Sequence, residues 1–162
     1  MRAGSLLVAC VFLLLAVAPA RAQAPLAFQQ RCAVCHQATG SGVPGTYPPL
    51  NDTIGAYVRL PQGRTFLIHV LLFGMDGKIE SQGAVYEGLM PSAADLSDSD
   101  LAEAINYVLK TFNSATLPHN FQPFTAAEFK MLRASRLTAN DVFQERARLI
   151  TLLDKGASSD NR

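Results

Sequence analysis

The sequence predicts an all-α fold, and three observations support this prediction. The segment RTFLIHVLLFG, residues 64–74, is an apolar run of helical character. The polar stretch SDSD, residues 97–100, supplies capping groups for a helix over about residues 101–112. Two later segments, which begin at Thr125 and Thr138, each open with a threonine and an acidic residue three positions on, the arrangement of a capping box.

Residues 1–24 are predicted to be a secretory signal peptide that lies outside the folded domain. Arg2 gives a short basic start, an almost unbroken apolar run covers residues 6–17, and small residues then predict cleavage after Ala22 or Ala24. The run is short for a membrane span. The tetrapeptide LVAC, residues 7–10, has the form of a lipoprotein processing box, but most of the apolar run follows its cysteine.

Removal of this segment changes the charge and the cysteine count. Arg2 and Arg21 leave, so 12 basic side chains stand against 13 acidic ones and the formal net charge is −1. A chain without an excess of basic side chains lacks the positive electrostatic potential that binds nucleic acid. No later segment is apolar for long enough to cross a membrane. We therefore expect a soluble exported domain whose remaining cysteines are Cys32 and Cys35.

Those two cysteines belong to the motif CAVCH, residues 32–36. C-x-x-C-H is the attachment signature of c-type haem. Each thiol adds to one vinyl group of the porphyrin, and the histidine that follows is placed to bind the iron. Export agrees with this interpretation, because c-type haem is attached outside the bacterial cytoplasm. The motif predicts one covalent haem c held by Cys32 and Cys35, with His36 as an iron ligand.

Two other interpretations of the cysteines remain open on spacing alone. A disulfide or redox dithiol is common in exported proteins. However, thioredoxin-like motifs follow a strand, whereas residues 25–31 show no strand alternation and look like a helix start. A structural zinc site needs four ligands. The fourth would have to come from distant His69, His119 or a carboxylate, since the chain has no second C-x-x-C pair.

If His36 binds the haem iron, the sixth coordination position on the opposite side of the haem needs a ligand. Met90 is the favoured candidate, because it is expected to lie on a loop, with Pro91 directly after it, just before the helix over about residues 101–112. A methionine placed there reaches across a haem edge. The other candidates are Met75, Met131, His69 and His119.

Each of these other candidates has an ordinary structural interpretation. Met75 lies between glycines, and we expect it to form part of the pocket wall. Met131 lies in a helix beyond the haem core, and we expect it to serve in packing. His69 falls within an apolar helical run. We expect it to be a core or boundary residue whose ring forms a hydrogen bond with a backbone carbonyl. His119 stands between Pro118 and an asparagine in a loop.

Taken together, these residues resemble a class I (mono-haem) c-type cytochrome of the bacterial periplasm. The resemblance covers about residues 25–113. It rests on the C-x-x-C-H motif, Phe28, Pro48, Leu50, Met90-Pro91 and Tyr107. The segment GKIESQGAVYEGLMP, residues 77–91, also resembles cytochromes that serve periplasmic dehydrogenases, and its alternation allows a short hairpin.

The resemblance implies a cytochrome c-like helical fold around one covalent haem, with the first and last core helices crossing near Phe28 and Tyr107. It implies that His36 and Met90 are the axial iron ligands. It further implies that the backbone carbonyl of Pro48 accepts the Nδ1 proton of His36, which orients the ring. Leu50 is expected to pack on the porphyrin.

The resemblance also implies a function in the periplasm. A low-spin iron with six ligands has no open site for substrate, and a methionine ligand raises its potential. We therefore expect an electron carrier and not an enzyme, which exchanges single electrons with redox protein partners such as a periplasmic dehydrogenase, a terminal oxidase or another cytochrome. It is either a free shuttle or the haem subunit of a dehydrogenase. The alternative is a haem enzyme or gas sensor whose sixth ligand is displaceable.

Residues 114–162 depart from the simple family pattern and predict a two-helix C-terminal extension. The second helix is expected to end near Lys155, with Gly156 as its stop and a loose C-terminus beyond it. An apolar stripe at helical spacing either packs against the cytochrome core or docks a partner. Its members are Phe129, Leu132, Val142, Leu149 and Leu153.

Overall fold

The structure is a computed structural model that describes residues 23–160; the predicted signal peptide lies almost wholly outside these residues. The first helix, α1, joins a π-helical turn at Phe28–Cys32 to an α-helical turn at Ala33–His36. A short 3₁₀ turn, Tyr57–Arg59, precedes α2. The later elements are α2 (Pro61–Phe73), β1 (Met75–Ser81), β2 (Ala84–Met90), α3 (Asp98–Phe112), α4 (Ala126–Leu132) and α5 (Ala139–Asp160).

The helical prediction is confirmed, but the all-α prediction omits a two-stranded antiparallel sheet. Strands β1 and β2 pair from Met75 opposite Met90 to Ser81 opposite Ala84. Gln82 and Gly83 form the connection with φ angles of 49° and 75°. A two-residue connection with both φ angles positive matches the twist of paired strands, which is why this short segment closes into a hairpin.

Helices α1 and α3 cross as the family resemblance implied. The rings of Phe28 and Tyr107 lie 5.1 Å apart, and Phe112 lies 5.6 Å from Phe28. Such tilted aromatic contacts stabilise a crossing beyond the area that they bury. Asn113, fully buried, then accepts hydrogen bonds from the backbone amides of Ile54 and Gly55 at 3.1 and 3.0 Å. The end of α3 thereby fixes the loop that follows residue 50.

The C-terminal extension packs against the cytochrome core. Phe129, Val142 and Leu149 are each at most 1% exposed and share one cluster with side chains of α2 and α3. The packing prediction is wrong for Met131, whose side chain is 69% exposed on the outer side of α4. Helix α5 also continues through Gly156 to Asp160, so glycine does not end it.

The predicted helix caps are present. The Ser97 hydroxyl accepts a hydrogen bond from the amide of Asp100 at 3.1 Å at the start of α3. Thr125 and Glu128 form a reciprocal capping box at the start of α4. The same Glu128 carboxylate receives two hydrogen bonds from Arg64 of α2, at 2.6 and 2.9 Å, so one side chain both caps α4 and joins it to the core.

Glu128→Gln is expected to destabilise the fold in a pH-dependent way. The hydrogen bonds from Arg64 hold the pKa of the Glu128 carboxyl below its usual value of 4.5. A carboxyl with a lowered folded-state pKa stabilises the protein above that usual value, and the stabilisation is lost as pH falls through the folded-state pKa. We expect a loss of about 1 kcal/mol at pH 7, as for a well-oriented partly exposed pair.

Urea unfolding of both proteins across pH 7 to 3 measures this effect. The difference in the free energy of unfolding between wild type and Glu128→Gln should shrink as the pH drops below the usual pKa of a glutamate carboxyl. A gap that stays constant over this range would show that the carboxylate charge contributes nothing to the pairing.

Candidate functional site

A partly enclosed cavity of about 370 Å³ lies between α1, the loop that follows it, α2, the hairpin and α3. This is within the usual size range of cofactor pockets. All six site residues predicted from the sequence line this cavity: Cys32, Cys35, His36, Pro48, Leu50 and Met90. The structure therefore brings together residues that span nearly sixty positions of the chain.

His36 ends α1 and is buried. Its Nδ1 lies 2.8 Å from the carbonyl oxygen of Pro48. A carbonyl only accepts hydrogen bonds, so Nδ1 carries the proton and Nε2 keeps its lone pair. Burial lowers the pKa of the imidazole, with the Pro48 hydrogen bond opposing that shift. The lowered pKa and the fixed Nδ1 proton together favour an oriented, neutral ring, which is the form that binds a metal.

The loop after α1 is folded tightly enough to hold the Pro48 carbonyl in place. Gly42 donates its amide to the carbonyl of His36 at 2.9 Å, and Leu50 donates to Gly40 at 2.7 Å. Gly42 has φ of 63°, and a Cβ there would lie 2.3 Å from the Tyr47 carbonyl oxygen and 2.7 Å from that of Pro48. Only glycine fits this position without moving the acceptor of the His36 bond.

Gly42→Ala is therefore expected to disturb the orientation of His36, whereas Gly45→Ala is the matched control. Gly45 has φ of 73°, but a Cβ there meets nothing within 4 Å. Both variants carry the strain of a positive φ, on the order of 1 kcal/mol, and only Gly42→Ala adds the contact with Pro48.

We expect Gly42→Ala to raise the reduction potential of the holoprotein, because a weaker hydrogen bond from Nδ1 to Pro48 makes the His36 imidazole less basic. We also expect it to lower the midpoint of urea unfolding, and each shift should exceed that of Gly45→Ala. Voltammetry and urea titration of both variants measure the difference. Equal shifts would mean that the backbone contact at Gly42 does not hold the Pro48 carbonyl.

Cys32 and Cys35 are half-buried free thiols on α1. Burial raises the pKa of the Cys32 thiol to about 11, with Arg31 partly opposing the shift. Redox dithiols need a thiol that ionises readily, so this environment does not suit the dithiol interpretation. Among residues 23–160, no three histidine, cysteine or acidic side chains converge as metal ligands, which leaves the zinc interpretation without a ligand set there.

Met90 ends β2 and lies half-buried in the cavity wall, directly across the hairpin from Met75. The chain that follows is anchored to the end of α2. The Ser92 hydroxyl donates to the Leu72 carbonyl at 2.6 Å, and the Ala93 amide donates to Leu71 at 2.8 Å. Met90 thus lies at a fixed strand end, and its predicted position on a loop was wrong.

Of the other ligand candidates, only Met75 lies in the cavity wall. His69 does not line the cavity; its Nδ1 lies 2.9 Å from the Glu145 carboxylate of α5, so the expected backbone partner was wrong. His119 is exposed in its loop. Met75, as expected, forms part of the cavity wall.

Two features of the site have no clear sequence signal. Arg146, a residue of the C-terminal extension, lines the cavity and donates to the Glu80 carbonyl at 3.0 Å. Asn113 fixes the Leu50 carbonyl through its side-chain amide at 2.8 Å. Both contacts join residues more than sixty positions apart, and nothing in either local sequence indicates the partner.

The family model described as Cytochrome c matches residues 22–112. The chain belongs to the cytochrome c family. The match contains the cavity-lining C-x-x-C-H motif and the hairpin, and it ends where the C-terminal extension begins. Members of this family carry electrons.

Two relatives extend the comparison. A cytochrome c-552 of Thermus thermophilus is 42% identical over 119 residues, which cover 74% of this chain and 91% of the relative. A second cytochrome c-552, from a particular strain of the same species, is also 42% identical over 119 residues, 74% of this chain and 80% of the relative.

Cytochromes c bind haem c covalently through two cysteines, and in this chain these are Cys32 and Cys35. The residues present fit the group. One wall of the cavity supplies two thiols and a neutral imidazole from five consecutive positions. The α2 wall is apolar: Phe66, Leu67, Val70 and Leu71 line the cavity from that side.

Proposed function

We propose that this cytochrome is a periplasmic electron carrier whose haem iron is ligated by His36 and Met90. The hydrogen bond from His36 Nδ1 to Pro48 is the observation that carries the proposal, because it leaves Nε2 as the ring's one free donor to iron. Met90 offers a thioether from another wall of the same cavity. When bound, haem c supplies an iron that gains and loses one electron.

The protein's own residues keep that exchange fast. Pro48 fixes the orientation of the His36 ring, so the ligand does not reorganise when the charge of the site changes. The apolar side chains of α2 form a wall that offers water no hydrogen-bond partner on that side of the cavity. Burial and a thioether ligand both favour the reduced state and raise the potential.

The α2 side of the cavity argues against the enzyme and gas-sensor alternative. Peroxide chemistry needs a polar acid–base group close to an open iron position. The α2 side chains that line the cavity are instead aliphatic or aromatic, and Met90 lies at the base of a hairpin tied to the end of α2. These features support electron transfer in which no substrate bond is made or broken.

We propose that redox partners dock beside the two cysteines and the end of β2, through the exposed side chains of Val34 and of the cavity-lining Leu89. Val34 lies between the two cysteines and is 70% exposed, and Leu89 precedes Met90 and is 65% exposed. Exposed apolar side chains at a cofactor edge fit an interface that brings two redox groups together. A periplasmic dehydrogenase, a terminal oxidase or another cytochrome would bind there, transiently or as a partner subunit.

Val34→Lys is expected to slow electron exchange at this edge. Self-exchange between oxidised and reduced copies, measured by NMR line broadening, needs no other partner. We expect a decrease of about tenfold, the effect of losing roughly 1.4 kcal/mol at an interface. The control is Met131→Lys, which adds the same charge at an equally exposed methionine on α4. Equal effects of both variants would mean that net charge, not the Val34 edge, limits the exchange.

Location is the second part of the proposal. Within residues 23–160, none of the helices has the length and apolarity that a bilayer crossing requires. We propose that residues 1–24 direct export and are then removed. Cell fractionation of a haem-maturing host, with mass determination of the product, tests this. Haem-bearing protein of full length in the cytoplasmic fraction would contradict it.

Optical spectra of the matured protein test the proposed ligation. We expect sharp c-type bands, a weak far-red sulphur-to-iron band in the oxidised form, and no reaction of the reduced form with carbon monoxide. Ready binding of carbon monoxide would contradict the six-ligand carrier and favour the enzyme or sensor.

A further inference from the structure

The cavity wall holds two methionines, and the register of the hairpin places them side by side. Met75 opens β1 and Met90 closes β2, and the two residues are directly opposed in the antiparallel pair. Opposed residues project from the same face of a sheet, with Cβ atoms about 4.5–5.5 Å apart. Both side chains are half-buried, both pack against the main core, and both line the cavity that His36 lines.

We propose that Met75 is a second thioether ligand for the haem iron, which takes the sixth coordination position when Met90 is absent. The inference rests on the proposed His/Met ligation. Thioether sulphur is an established haem ligand, and an unbranched methionine with three rotatable side-chain bonds adapts to a displaced partner. A neighbouring methionine on the same wall therefore needs only side-chain rotation to replace the other.

The backbone at this point is fixed independently of either methionine side chain. Gly74 has φ of 73°, and a Cβ there would lie 2.4 Å from the carbonyl oxygen of Met90. The Gly74 amide donates to Val70 at 3.1 Å, which joins the start of β1 to the end of α2. Because the two strand ends are pressed together at the helix, truncation of Met90 leaves the Met75 backbone in place.

The remaining histidine and methionine side chains of residues 23–160 are poorly placed to compete. Met131 is exposed on α4, and His119 is exposed in its loop. His69 is held against Glu145 and does not line the cavity. Met75 is thus the one further methionine that this part of the chain brings to the cavity wall.

Three variants of the matured holoprotein test the proposal: Met90→Ala, Met75→Leu and the double variant. Leucine preserves the apolar volume at residue 75 and cannot ligate iron, and alanine at residue 90 leaves room for Met75. The readouts are the far-red sulphur-to-iron band of the oxidised form and carbon monoxide binding by the reduced form. Far-ultraviolet circular dichroism and covalent haem content establish that each variant is folded and loaded.

We expect both single variants to keep the far-red band, and the double variant to lose it and to bind carbon monoxide. Methyl-labelled methionine in the reduced Met90→Ala protein should show one strongly ring-current-shifted signal, which disappears in the double variant. Loss of the band in Met90→Ala, with carbon monoxide binding equal to that of the double variant, would overturn the second-ligand proposal while leaving the proposed function intact.

Two other outcomes bear on both proposals. Absence of the band in the unaltered protein would overturn the His/Met ligation itself, and with it the role of Met75. Loss of the band in Met75→Leu alone, with a normal band in Met90→Ala, would make Met75 the sole thioether ligand. That result would overturn the assignment of Met90 and the exchange of ligands, but not electron transfer.

Discussion

Replacing both Cys32 and Cys35 by alanine is expected to abolish covalent haem attachment and to leave the chain without a stable fold. The side chains that line the cavity then have no partner, and a void of about 370 Å³ remains. At about 24 cal/mol per Å³ of empty space, such a void costs on the order of 9 kcal/mol as an upper value, since the cavity is only partly enclosed. That is comparable to the whole stability of a domain this size, roughly 5–15 kcal/mol.

The measurement is haem staining after denaturing electrophoresis, together with circular dichroism of whatever protein accumulates. Each single variant, Cys32→Ala or Cys35→Ala, is the matched control, because one thioether remains to hold the group. We expect the single variants to retain haem and helical signal and the double variant to lose both. A double variant that keeps full helicity and cooperative unfolding without haem would show that the apolar walls collapse onto each other.

Local chemistry made most of the site predictable from sequence. Cys32, Cys35 and His36 are close together in the chain, so their meeting at one wall needs no tertiary contact. The caps of α3 and α4 were likewise predictable, because Ser97 and Thr125 each cap through a residue three positions on. Where the partner lies within one helical turn, the residue types alone identify it.

Tertiary contacts were harder to predict. The hairpin was only an allowed possibility, because its glycines give no side-chain alternation at Gly77 and Gly88. The Met75–Met90 pairing follows from its register, which a weak alternation does not define. The carboxylate partner of His69 comes from a helix 76 residues away, so no local pattern indicates it. Met131 was misplaced because the short helix α4 buries one face, through Phe129, and exposes the opposite one.

Phe129→Ala is expected to destabilise the whole cytochrome and not only its C-terminal extension. Phe129 is fully buried in α4 and packs 6.4 Å, ring to ring, from Phe124. It belongs to the same cluster as Phe66 of α2 and Leu101 of α3. Truncation of a buried phenylalanine costs about 3–5 kcal/mol. The matched control is Met131→Ala, two residues away and exposed, for which we expect a change within about 0.5 kcal/mol.

Urea unfolding of the oxidised holoprotein, followed both by the far-red band and by circular dichroism, separates two possibilities. If the extension and the haem-binding part share one core, the two signals change together, and Phe129→Ala moves both midpoints down by the same amount. If the extension is an independent appendage, the variant loses helical signal first and the far-red band keeps its wild-type midpoint. The shared cluster favours the first outcome, because removing Phe129 opens a void in the same core that contains the α2 residues of the cavity wall.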